Sequence, residues 1–108
     1  MPSLEIKKEQ RSDRLLMALA GELDIVNTPA LETELTGAQD ESATTVVLDL
    51  RGVTFIDSTG IRALIAADER ARDVGGRLMI VRGAAAVDRA FEVTQLDQRL
   101  EIVDDPIG

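Results

Sequence analysis

"TTVVLDL", Thr44 to Leu50, is β-branched and nearly continuously apolar. That pattern belongs to a strand buried on both faces, at the centre of a sheet rather than its edge. The segments on either side alternate in type. Downstream, Ile61, Leu64, Ile65 and Ala71 recur at helical spacing and stop near "VGG", where glycine supplies the usual C-terminal stop. "RLMIV" reads as another short buried strand, "AAVDRAFEV" as a helix with Val87, Ala90 and Phe91 on one side, and "LEIV" as a last strand. Upstream, "GELDIVNTPALETELTGAQD" places Leu31, Leu35 and Ala38 on one helical face. Thr28 is its expected N-cap and Pro29 its first helical residue, where a missing N–H costs nothing. Leu4 to Gln10 and Leu15 to Ala20 form two strands around the polar turn "RSD", a hairpin.

The order β-β-α-β-α-β-α-β implies an α/β fold: a mixed, mostly parallel sheet with an N-terminal β-hairpin and about three to four helices packed on it. With 108 residues, no internal repeat and no linker, one domain spanning 1–108 is expected, with "DDPIG" as a frayed tail.

Composition narrows the function classes. Aromatic residues make up only 2%, so the core is aliphatic and a base-stacking surface for single-stranded nucleic acid is not expected. Twelve Lys and Arg against 20 Asp and Glu give a net charge of -8, which repels nucleic acid and anionic membrane and suits a basic protein surface. Cysteine and histidine are both absent, which removes disulfides, thiolate or imidazole metal sites, thiol nucleophiles and Ser-His-Asp arrangements. No cofactor or metal is expected. The start "MPSLEIKKEQ" carries no apolar h-region and no window approaches 18 apolar residues, so a cytoplasmic setting is the expectation.

One segment holds more than its helix requires. In "VTFIDSTG", Val53 to Gly60, an apolar run gives way to Asp57, Ser58 and Thr59, and then to a glycine. In an open α/β sheet such a position, beyond a strand's carboxyl end, is where function usually sits. Any of the three polar residues caps a helix, so the plain reading is a well-capped helix start. Gly60 stands against it, because glycine inside a helix costs about 1 kcal/mol relative to alanine; it would instead allow a backbone or a ligand to approach closely. The first turn also stabilises an anion, by roughly 0.3 to 1 kcal/mol at an exposed site, so a phosphate on Ser58 would gain there while Asp57 opposed it.

"VVLDLRGVTFIDSTGIRALIAADERARDVGGRLMIV" resembles the central signature of the STAS domain, in particular the anti-sigma factor antagonists of bacteria. That signature is an apolar strand with "LDL", then "V-x-F-I-D-S-[ST]-G-[LI]", a helix and a glycine-rich turn. "GELDIVNTPAL" and "RAFEVTQLDQRLEIVDD" extend the likeness over nearly the whole chain. It departs at Gln95, where glycine is common, and at Arg51, where serine is frequent.

The resemblance implies a non-enzymatic switch in transcription regulation. The unmodified antagonist binds an anti-sigma factor that is also a serine kinase and so frees a sigma factor. Phosphorylation of Ser58, with Thr59 as the adjacent alternative, switches binding off, and a serine phosphatase restores it. The partner-binding residues implied are Asp24, Asp57, Ser58, Thr59 and Gly60, in a monomer or weak dimer. Asp24 reads equally well as an exposed strand-end carboxylate, and Arg51 and Arg62 as solvated surface charges. The rival within the family is a STAS scaffold or adaptor in a stress-signalling or transport complex, without a phospho-switch. An enzyme is disfavoured, since "GK[ST]" and G-x-S-x-G are both absent. A receiver domain phosphorylated on Asp49 would need a late lysine, and the only lysines are Lys7 and Lys8.

Overall fold

The computed structural model describes residues 3–41 and 45–105. Its elements are β1 (Leu4–Arg11), β2 (Arg14–Leu23), α1 (Thr28–Glu41), β3 (Thr45–Ile56), α2 (Ser58–Asp73), β4 (Arg77–Val81), α3 (Ala85–Val93) and β5 (Glu101–Val103), with a 3-10 turn at Leu96–Gln98. The strands lie in chain order across one sheet. β1 pairs antiparallel with β2, and the remaining neighbours are parallel. This is the expected α/β architecture, hairpin included.

Chain-order pairing also decides where the helices go. Successive right-handed crossovers that always step in the same direction land on the same face. Accordingly Leu31 and Leu35 of α1, Leu64, Ala67 and Ala71 of α2, and Val87 and Phe91 of α3 share one cluster with Met17, Leu19, Val46, Leu48, Leu50 and Ile80 of the sheet. Each fully buried leucine there contributes roughly 1.5 to 3 kcal/mol. On the opposite face Val47, Met79 and Val81 form a separate buried cluster with Leu16 and Val103 against it. β3 is therefore buried on both sides, as its apolar run requires.

Four features differ from the sequence reading. β3 does not stop at Leu50 but continues to Ile56, and Thr44 lies outside the described residues. From Ala18 to Leu23 β2 advances five residues while β3 advances seven, from Asp49 to Ile56. Two bulges, one between Asp49 and Gly52 and one between Val53 and Phe55, interrupt the alternation and hide the strand from a periodicity search. β2 likewise runs on to Leu23. Thr28 is already helical and its Oγ1 is buried without a hydrogen-bond partner, so it is not the cap. The loop before α1 is held instead by Asp24, whose Oδ1 accepts the N–H groups of Val26 (3.1 Å) and Asn27 (2.8 Å). Finally, the acidic end is tied down at its start, where Arg82 Nε donates to Asp104 at 2.8 Å; residues 106–108 lie outside the described residues.

The helix ends follow their glycines. After α2, Gly75 has φ +76, and the N–H groups of Gly75 and Gly76 donate to the carbonyls of Arg72 and Ala71. That is the double hydrogen bond of a left-handed stop. α3 ends on a similar left-handed residue without the glycine and with only the inner of the two bonds: Gln95 takes φ 60 while its N–H donates to the Glu92 carbonyl. A side chain in that conformation costs about 1 to 2 kcal/mol that glycine avoids. Gln95→Gly is expected to raise stability by about 0.5 to 1 kcal/mol, several degrees in Tm for a domain of this size. Thermal unfolding followed by circular dichroism measures it; a lowered Tm would mean that glycine's unfolded-state entropy outweighs the relief.

Candidate functional site

β2 and β3 are parallel neighbours, and Leu23 pairs with Ile56 at their carboxyl ends. The two loops leaving those ends, Asp24 to Asn27 and Asp57, are thereby brought together. Asp57 joins them. It is the N-cap of α2 in extended backbone, and its Oδ1 accepts the N–H groups of Thr59 (2.9 Å) and Gly60 (3.1 Å). Its Oδ2 accepts the N–H of Ile25 across the gap at 3.2 Å, and its own N–H donates to the Leu23 carbonyl at 3.1 Å. One carboxylate thus starts the helix and fixes the neighbouring loop.

Because Asp57 does the capping, the next residue is released from it. Ser58 is exposed on the first helical position, and among the described residues its hydroxyl has no hydrogen-bond partner. Thr59 is half-buried and Gly60 fully so. A Cβ added to Gly60 would lie 2.8 Å from the Leu23 carbonyl oxygen and 2.8 Å from Ile56 Cγ1. The glycine lets the end of β2 press against the first turn of α2.

Three apolar side chains that the sequence did not single out surround this end of the sheet. Ile25 and Val26, on the loop that Asp24 and Asp57 hold, are 70% and 78% exposed, and Phe55, which pairs with Glu22, is 46% exposed. Ordinary hydrophobic residues carry no sequence mark of exposure, so only the bulges and the tight loop reveal them. Large apolar side chains left in water beside a polar site are what an interface with another protein uses.

The two arginines set aside as surface charges have defined contacts. Arg51 makes a two-point contact with Asp49, Nε to Oδ1 at 2.9 Å and Nη2 to Oδ2 at 2.7 Å. The hydrogen bond from Arg51 holds the Asp49 carboxyl below its ordinary range. Asp49 lies mid-strand in β3, paired and far from the strand's carboxyl end, which further removes a receiver-type phosphoacceptor. Arg62 reaches back over the first turn, with Nε 3.4 Å from the Ser58 carbonyl oxygen. No group of acidic residues among those described is arranged to hold a metal ion, and no described helix is long and apolar enough to cross a membrane.

Several known proteins share this arrangement. The family model for the STAS domain matches residues 5–106. An anti-sigma-B factor antagonist of Listeria monocytogenes is 30% identical over 100 residues, covering 93% of this chain and 87% of that protein. The crystal structure of an anti-sigma factor antagonist from Mycobacterium paratuberculosis superposes with a TM-score of 0.85 at 27% identity, covering 96% of this chain and 91% of the other. SpoIIAA, an anti-sigma factor antagonist solved in an unphosphorylated form, shares the fold at 19% identity with a TM-score of 0.78, over 92% of this chain and 88% of its own. A phosphorylated form of SpoIIAA from Bacillus superposes at 0.71, with 18% identity over 92% of this chain and 91% of its own. The chain belongs to the STAS domain family, among its anti-sigma factor antagonists.

Proposed function

We propose that this chain works as a partner switch: unmodified, it binds an anti-sigma factor and frees a sigma factor, and a phosphate on Ser58 ends that binding. The observation that carries the reading is the division of labour at the start of α2. Asp57 satisfies the helix, so the Ser58 hydroxyl is exposed and unpaired. The binding surface comprises Asp24, Asp57, Ser58 and Thr59 with exposed Ile25, Val26 and Phe55, and Gly60 contributes by holding the two loops close. An apolar patch with an acidic border in a chain of net charge -8 suits a basic, partly apolar partner face.

In the modification step the anti-sigma factor acts as a serine kinase. Ser58 Oγ forms a bond to the γ-phosphorus of ATP, the bond to the bridging oxygen breaks and ADP leaves. A base on the kinase takes the hydroxyl proton. The product carries up to about two added negative charges at the edge of the interface. A serine phosphatase hydrolyses the ester and restores the binding form. The chain itself contributes recognition and no catalysis, acts in the cytoplasm, and does so as a monomer or weak dimer.

Incubating the purified protein with ATP and a candidate anti-sigma kinase tests this, with intact mass and site mapping as readouts. One phosphate on Ser58 is expected, and none on Ser58→Ala. If the wild-type chain takes up no phosphate, and Ser58→Ala binds and releases the partner as wild type does, the scaffold role without a switch replaces this reading.

A further inference from the structure

Arg62 carries a charge from which the unmodified helix gains one long hydrogen bond and, among the described residues, no ion pair. It follows Ser58 by four residues on α2, and helical side chains lean toward the N-terminus, so its guanidinium lies back over the turn that presents the serine. The contact it finds there, Nε to the Ser58 carbonyl at 3.4 Å, is long for such a bond. A cation near a helix N-terminus is also opposed by the helix dipole. Arg62 is exposed and enters none of the ion pairs among the described residues. The nearby carboxylates are occupied elsewhere: Asp57 accepts three backbone N–H groups and Asp24 two.

We propose that Arg62 is the intramolecular counter-charge for a phosphate on Ser58, a positioning residue that holds the phosphoryl group against α2 once it is formed. The inference rests on Ser58 being the phosphoacceptor. A phosphate there faces Asp57 at the cap, Asp24 from the loop after β2, and Arg62 from the next turn. Asp57 already uses the first-turn N–H groups of Thr59 and Gly60, so the helix end has little left to offer a second anion. Arg62 supplies what is missing: planar, permanently charged donors within reach of the serine, of the kind that phosphate oxygens accept in pairs. With that partner the phosphate stays folded onto its own chain, and the two acidic side chains beside it repel it less.

The test needs no kinase. Phosphoserine is inserted at position 58 by an expanded genetic code, and the second ionisation of the phosphate is titrated by phosphorus NMR in the wild-type background and in Arg62→Gln and Arg62→Lys. Pairing with a cation favours the dianion, so Arg62→Gln is expected to raise that ionisation by about half a unit, and Arg62→Lys to recover part of the difference. Without phosphate, Arg62→Gln is expected to melt within about a degree or two of wild type, as a surface change does. Equal ionisation in wild type and Arg62→Gln would overturn the proposal, and so would a large loss of stability in the unmodified variant. Failure of a kinase to modify Ser58 would instead defeat the phospho-switch, and the titration keeps the two outcomes apart.

Discussion

Gly60→Ala is expected to lower stability by about 2 kcal/mol, close to 10 °C in Tm, although alanine is the better helix former. Propensity alone gives the opposite sign, a gain of about 1 kcal/mol. The new methyl would meet Leu23 O and Ile56 Cγ1 at 2.8 Å and Leu23 Cβ at 3.0 Å. Ile56 can turn aside, but Leu23 O is backbone in the sheet and already accepts the Asp57 N–H. Relief therefore requires α2 to lift away from β2, which stretches the Asp57 contacts to Ile25, Thr59 and Gly60 together. Chemical denaturation with the m-value held constant measures the loss. A variant as stable as wild type or more so would show that the helix shifts at no cost and that the close approach is incidental.

Ser58→Asp is expected to weaken partner binding on the order of 10-fold or more while the fold stays intact, because an added carboxylate next to Asp57 must be stripped of water when the interface closes, and a charge buried there without its own partner costs over about 1 kcal/mol. Stability should hold or rise slightly, since an acidic side chain on the first helical turn is favoured by the helix dipole. Titration calorimetry with the anti-sigma factor, alongside thermal unfolding, separates the two effects. Loss of cooperative unfolding would mean that the position is mainly structural. Unchanged affinity would remove Ser58 from the interface.

Most of the architecture was legible because each element carried its own period: the aliphatic run of β3, the helical faces of α2 and α3, and the double glycine after α2. What escaped did so for physical reasons. The second half of β3 alternates irregularly, since each bulge shifts the register by one residue and breaks the period-two pattern. "TP" suggests a cap at Thr28, yet Thr28 is already helical, and it is Asp24, four residues earlier, whose carboxylate holds the loop that leads into the helix. At the site, the Asp-Ser-Thr-Gly order showed that there were more polar groups than a cap needs. It did not show that one aspartate would satisfy both the helix and the loop from β2, because that contact spans 32 residues of sequence. Arg62 looked like an ordinary solvated charge until its direction over the first turn was known.

The two bulges in β3 also set how the segment tolerates insertions and deletions. Each residue added to or removed from a strand moves everything beyond it by about 3.3 Å and turns the following side chains to the other face. Val53 is buried and Phe55 exposed only because two extra residues are accommodated between Asp49 and Ile56. Losing one would turn Phe55 into the helix layer and carry the serine out of line with the loop after β2. Relatives should therefore vary in length at the tips of loops, and keep a fixed count between the aspartate in mid-strand and the serine beyond its end.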